Sequence, residues 1–274
     1  MRLSRTQNAL RVVYLALALI WSVFPLYWMI TTSIKPSALT FAWPPALIFT
    51  PTFEFYAKLI QTTPFTQYLA NTLVVAGVTT AIAISLGSFS AYSFTRFRNA
   101  GSAFFPLFYL ICRMLPRVVL VIPVYLLMRQ LHLLNTHLAL ILAYSTFALP
   151  FTIWMMIGFF KEIPIELEEA AMVDGCDRLN VLRLVVLPLA APGLAATSIF
   201  AFLLGWNEFL FALVLGGSDS RTLPVLAAGF IADNGIAWGL VMAAGTLVLL
   251  PVIVFALVVQ RHIVHGMTLG AVKG

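Results

Sequence analysis

Three charged side chains fall where the sequence offers them no water. Arg113 and Arg117 lie inside the apolar stretch from about Ser102 to Met128, and Glu208 lies inside the stretch from about Ala191 to Leu215. The two arginines are four residues apart and so share one face of a helix. An arginine at a bilayer centre costs at least about 2.5 kcal/mol, which favours a cavity or an ionic partner over lipid. At a rise of about 1.5 Å per residue, Arg113 lies about 17 Å and Arg117 about 22 Å from Ser102, and Glu208 about 25 Å from Ala191. These depths predict an Arg117–Glu208 pair as part of an outer gate, with Arg113 facing a cavity and meeting hydroxyl or anionic groups of a solute. The alternative is that Pro116 and Pro123 distort the span and both arginines snorkel outward.

The longest charge-rich run is Glu162 to Pro192, EIPIELEEAAMVDGCDRLNVLRLVVLPLAAP, which holds six of the ten acids. Pro164 suits a first helical turn, where its missing N–H would have no partner anyway. Asp174-Gly175 supplies a stop, and Asp177 an N-cap for a second helix from Arg178 to about Val186, ended by Pro188 and Pro192. On the first helix Leu167, Ala170, Ala171 and Asp174 share a face, and its two alanines let another surface come close. Glu162, Glu166 and Glu169 form a second stripe of like charge. From residue types alone, a solvated loop helix is the alternative to a docking helix.

The elements that carry these groups are apolar spans. The chain of 274 residues is 61% hydrophobic and 9% charged, with mean hydropathy +0.99, which implies a polytopic membrane protein. Six spans are predicted: about 10–31, 68–94, 102–128, 137–160, 191–215 and 238–259. A Pro- and aromatic-rich segment, residues 33–67, suits the membrane interface through Trp43, Phe53, Phe55 and Tyr56. The basic, then apolar N-terminus predicts an uncleaved first span, because its apolar run is long and no small-residue cleavage site follows. Six spans put both termini on one side. That side carries Arg2, Arg5, Arg11, Arg96, Arg98, Lys161, Arg178, Arg183, Arg261 and Lys273. The other carries Lys35, Lys58, Arg129 and Arg221, so the termini and the acidic loop are expected in the cytoplasm. Residues 1–12 then form a cytoplasmic tail and 13–274 a single membrane domain.

The net charge of +6 does not indicate a nucleic-acid partner, because the bases are dispersed at helix ends. No G-x-x-x-x-G-K-[ST] loop is present. Neither a Ser/His/Asp set nor a pair of catalytic carboxylates can be placed, so no enzyme is expected. His132 and His137, and His262 and His265, lack acid or thiol partners at ligand spacing, so no metal site is expected. Cys112 and Cys176 are expected to be free.

Glu169-Ala170-Ala171, Gly175 after three residues, and Val185 and Leu187-Pro188 after nine more resemble the EAA loop of ABC importer permeases. Val185 stands where that pattern has Ile, and Cys176 and Leu182 where Ala and Phe are common. Trp206-Asn207-Glu208-Phe209 resembles the WN[DE] segment of the carbohydrate-importer branch. Gly266 to Gly274, GMTLGAVKG, resembles the ending of that branch, which includes the smaller permease of the maltose importer. The resemblance covers about Pro25 to Gly274.

The resemblance implies an all-α permease subunit, with a cytoplasmic coupling loop, of a bacterial ATP-driven, binding-protein-dependent importer of a sugar or sugar derivative. A polyol or a glycerol-phosphate ester is the alternative solute, and a membrane scaffold without cargo the alternative class. Its implied partners are two ATP-binding cassette subunits, a second homologous permease, an extracytoplasmic solute-binding protein, the sugar-like substrate and membrane lipid. ATP and Mg would be bound by the partner subunits, with no cofactor in this chain. Glu169, Ala170, Ala171, Asp174 and Gly175 would couple to the ATPase, and Gly270, Ala271, Val272, Lys273 and Gly274 would reach toward it. Trp206, Asn207 and Glu208 would join Arg113 and Arg117 at the translocation path or its gate. For residues 206–209 the alternative is helix packing, with Asn207 bonding a neighbouring helix.

Overall fold

The structure, a computed structural model, describes residues 5–97, 104–232 and 235–270, and these are almost all helical. In chain order the helices are α1 (Arg5–Ser33), α2 (Glu54–Thr62), α3 (Phe65–Arg96), α4 (Phe104–Met114), α5 (Arg117–Gln130) and α6 (His137–Glu162). Next come α7 (Ile165–Val173), α8 (Arg178–Val181), a π-helical turn (Leu182–Val186) and α9 (Leu187–Leu189). The last are α10 (Ala191–Trp206), α11 (Leu210–Leu215), α12 (Leu223–Ala228) and α13 (Trp238–Gly270). The all-α expectation needs one small correction. Strands β1 (Ile231–Ala232) and β2 (Gly235–Ile236) pair antiparallel ahead of α13.

Among the described residues, three helices are each long and apolar enough to cross a membrane: Leu10–Ser33, Phe65–Arg96 and His137–Glu162. The stretch Arg178–Leu189 with Ala191–Trp206 adds a fourth candidate, bent by 80° at the break. The predicted third and fifth spans are each broken. Pro116 separates α4 from α5, because proline supplies no N–H and disfavours helical backbone at Leu115. Pro123 and Pro150 instead lie inside α5 and α6 without ending them. The fifth is interrupted at residues 207–209 between α10 and α11. There Glu208 Oε1 accepts the Phe211 N–H at 3.1 Å, supplying a donor of the new helix start with the partner it would otherwise lack.

The chain forms two compact units. One joins Met1–Thr66 with Leu226–Leu250. In it α2 buries Leu59 completely. The Phe55 ring lies so close to Gly239 that a Cβ there would meet it at 2.1 Å. The Ser33 hydroxyl and the Tyr56 hydroxyl are hydrogen-bonded at 2.7 Å. Trp43 and Phe53 are exposed while Phe55 and Tyr56 turn inward.

The other unit joins Gln67–Val225 with Pro251–Gly274. One of its cores gathers Val75, Val121, Tyr144, Phe211 and Leu215 from α3, α5, α6 and α11. A second gathers Tyr92, Met156, Phe160, Leu182 and Val186 from α3, α6 and the segment after α8. Small residues let the long helices approach. A Cβ at Gly87 would stand 2.6 Å from the Thr152 side chain, so α3 and α6 meet there nearly backbone to backbone.

The acidic loop follows the expected local code with one correction. Pro164 precedes α7 and Asp177 caps α8, accepting the Asn180 N–H at 2.9 Å. Gly175 takes φ +93. The Gly175 and Cys176 N–H groups bond to the Met172 and Ala171 carbonyls at 3.1 and 3.0 Å, the paired closure that a left-handed residue after a helix permits. Pro188, however, does not end the second helix. The backbone widens into the π-helical turn and continues through α9 to Leu189. Pro188 stands just after that turn, so the departure from regular α-helical bonding falls next to the N–H that proline lacks.

Candidate functional site

Arg117, the first residue of α5, and Glu208, in the break between α10 and α11, meet at 2.6 Å between Nη1 and Oε2. Both residues stand at helix breaks. Pro116 starts a fresh helix with Arg117 at its mouth, and the interrupted fifth span frees Glu208 to turn inward. The pair is asymmetric. The carboxylate side chain is 3% exposed and the guanidinium 40%. The Arg117 guanidinium also lies over the Phe147 ring, 4.2 Å from its centroid, a geometry that favours a cation.

An open cavity of about 540 Å³ adjoins the pair, lined by Arg117, Phe151, Phe200 and Asn207 among others. A smaller one of about 210 Å³, between Cys112, Arg117, Thr146 and Phe147, lies beside it. Apolar and aromatic walls around one neutralised charge pair can admit a polyhydroxylated molecule without a strongly charged lining. Asn207 is exposed, and its amide donates to the Leu203 carbonyl of its own helix at 2.9 Å. Among the described residues this bond lies within its own helix, unlike the bond to a neighbouring helix that the packing alternative would give. Trp206 is fully buried, with its ring stacked on Phe202 at 5.6 Å. It packs the helix and does not line the cavity. Arg113 has its backbone in α4, and its side chain lies outside the described residues.

The predicted docking residues occupy a second surface. Glu169, Ala170, Asp174 and Gly175 are exposed, while Ala171 is half-buried against the core with Met172 and Cys176. The expected common face of Leu167, Ala170, Ala171 and Asp174 is thus split. The residue that turns α7 this way is Glu168, which is completely buried. Its Oε1 accepts Arg96 Nε at 2.6 Å and its Oε2 accepts the Tyr92 hydroxyl at 2.9 Å. The sequence carried a signal for this, since Glu168 stands three and four residues before Ala171 and Met172. A stripe of like charge on the same short helix masked it. In the tail, Gly270 ends α13, and Ala271, Val272, Lys273 and Gly274 lie outside the described residues.

A third polar cluster was also missed. Asn71 on α3 donates to the Asp219 and Arg221 carbonyls, both at 2.9 Å, and its Oδ1 meets His137 Nε2 at 2.8 Å. Asn135 Nδ2 bonds Asp219 Oδ2 at 3.1 Å. These contacts hold the 216–223 loop against α3 and the start of α6. Cys112 and Cys176 are free thiols.

Similarity to known proteins agrees with this layout. Residues 83–269 match the family described as binding-protein-dependent transport system inner membrane component. The trehalose/maltose transport system permease protein MalG of Thermococcus litoralis is 35% identical, over 100% of both chains. The diacetylchitobiose uptake system permease protein DasC of Streptomyces coelicolor is 37% identical, over 92% of each. Among solved structures, a bacterial ABC transporter involved in the import of the acidic polysaccharide alginate contains a chain that superimposes with a TM-score of 0.80. That match is 23% identical and covers 95% of this chain and 99% of the other, so it speaks to the fold. With two thirds of its length inside the family model and full-length relatives above 30% identity, the chain belongs to the binding-protein-dependent transport system inner membrane components.

Proposed function

We propose that this chain is one of two transmembrane permease subunits of an ATP-driven importer for a sugar or sugar derivative. Partner ATPases bind ATP and Mg, close, and push the exposed α7 surface. The permease pair then alternates between inward- and outward-facing states, and an extracytoplasmic binding protein delivers the solute. The observation that carries the reading is the division of labour along one chain: a family-matched helical body, an exposed acidic docking helix, and an aromatic-walled cavity beside a neutralised ion pair. The sugar reading draws on the saccharide names of full-length relatives. Reconstitution with the two ATPases, the second permease and the binding protein tests it. Saccharide-loaded binding protein is expected to stimulate ATP hydrolysis and ATP-dependent saccharide uptake. Stimulation only by a polyol or glycerol-phosphate ester would move the substrate, and no stimulation at all would overturn the transport reading.

In this reading α1, α3, α4–α5, α6, α10–α11 and α13 make six crossings, with the termini and α7 in the cytoplasm. Positive charge supports that orientation, with ten Lys and Arg on the proposed inner side against four on the outer. Single cysteines placed at Ser218 and Thr50, with Cys112 and Cys176 replaced by Ser, are expected to react with an impermeant reagent in intact cells. A cysteine at Asn180 is expected to react only after permeabilisation. All three positions are exposed, so labelling reports sidedness and not burial. Labelling of Asn180→Cys in intact cells would reverse the orientation.

A further inference from the structure

We infer that Arg96, Glu168 and Tyr92 form a buried ionic latch that makes α7 move as one body with the C-terminal ends of α3 and α6. Arg96 and Glu168 are thereby positioning residues for ATP coupling. The inference rests on the permease reading above and deepens it.

Helix α7 has nine residues, too few to hold its own shape or place without tertiary contacts. Both of its connections are non-helical, at residues 163–164 and 174–177. A push on such a helix would be absorbed by its hinges unless something ties it to longer elements. Its apolar contacts through Ala171 and Met172 can slide. The contacts of Glu168 have direction, because each carboxylate oxygen has its own donor, Arg96 Nε at 2.6 Å and the Tyr92 hydroxyl at 2.9 Å. The same guanidinium reaches a third element. Arg96 Nη2 donates to the Phe160 carbonyl at 2.9 Å and to the Ile163 carbonyl at 3.0 Å.

Those carbonyls lie at the C-terminal end of α6, where helix carbonyls lack partners and a cation is favoured. Arg96 is itself the last residue of α3. One guanidinium thus ties together the ends of two membrane helices and the root of α7. Water is excluded, with the Arg96 and Glu168 side chains 7% and 1% exposed. The Tyr92 ring is held edge-on between Phe97 and Phe160, at 6.3 and 6.2 Å. The fork geometry is specific to arginine. A lysine keeps the charge but cannot serve the carboxylate and both carbonyls from fixed directions. Meanwhile Glu166, Glu169 and Asp174 remain exposed, so the latch uses none of the surface left for a partner.

The test compares Glu168→Gln and Arg96→Lys with wild type in two ways. In the complete reconstituted complex, saccharide imported per ATP hydrolysed is measured per assembled complex. In the purified complex, amide hydrogen exchange is followed across α3, α6 and α7. Both variants are expected to assemble and hydrolyse ATP. Import per ATP should fall by about tenfold, the size of effect expected of residues that carry coupling without touching either ligand. Exchange in α7 should rise while mid-helix α3 and α6 stay protected. Unchanged α7 exchange together with an unchanged import ratio overturns the latch. Less complex with an unchanged import ratio marks a merely structural role and also overturns it. If the wild-type complex imports no saccharide, the permease reading fails instead, and the exchange measurement alone decides the latch.

Discussion

Arg117→Gln is expected to cut uptake by more than tenfold, Glu208→Gln by less, and the double variant to recover part of the loss. The asymmetry follows from burial. Removing the arginine strands a carboxylate that is 3% exposed. Breaking a buried pair from that side costs roughly 3–5 kcal/mol, because the remaining charge has no water and no counter-ion, only the Phe211 N–H. Removing the carboxylate leaves Arg117, which is 40% exposed and keeps the Phe147 ring beneath it. That loss lies nearer the about 1 kcal/mol of solvent-screened pairs. Gln at 208 also keeps an oxygen able to accept the Phe211 N–H that starts α11. With both charges gone nothing is stranded, hence the recovery. Saccharide uptake per assembled complex is the measurement. Losses that simply add, with no recovery, would argue against a coupled pair at the cavity wall.

Glu169→Lys and Gly175→Val are expected to abolish uptake or to release ATP hydrolysis from it, with the complex still inserted. They reach that outcome by different routes. Glu169 is exposed on the proposed docking helix, and a charge-assisted hydrogen bond to a basic group on the ATPase would contribute about 1.5–3 kcal/mol. Reversing its charge replaces that attraction with repulsion. Gly175 acts through the backbone. Its φ of +93 lies in a region that a β-branched residue resists. Space is not the obstacle, since a Cβ there would meet nothing within 4 Å. Val therefore strains the closure of α7 onto the Ala171 and Met172 carbonyls and shifts the helix end. Uptake and ATP hydrolysis by the reconstituted complex check both variants, and normal coupled uptake in both would remove α7 from the coupling path.

Much of this was legible from local sequence. The long apolar runs, the Pro164 and Asp177 starts and the Gly175 stop depend on residues within a few positions of one another. Backbone sterics and hydrogen bonding act at that range. The Arg117–Glu208 contact was also legible as one of two readings, because depth along two helices matches the groups while outward snorkelling was the alternative, and the structure shows the pair. The proposed coupling surface rests on a pattern of Glu, Ala, Ala and Gly at fixed spacing, and of these Glu169, Ala170 and Gly175 are exposed.

The rotation of α7 was not. Three acids crowd within four residues there, at 166, 168 and 169, and their types do not say which one is buried. Only the meeting of α3 and α6 creates a water-free site with a guanidinium and a phenol facing one carboxylate, and that site selects Glu168. The same holds for the break at 207–209 and the π-helical turn at 182–186. Composition there reads as continuous helix, whereas in the structure the first break carries the Glu208 contact to Arg117 and the π-helical turn comes just before Pro188 and the bend into α10. The sequence by itself determined which segments are apolar, where short helices start and stop, and which charges need partners, since each depends on neighbouring residues or on transfer from water. Only the tertiary structure decided which acid faces inward and which helices break, because those outcomes depend on groups far apart in the chain competing for the same buried site.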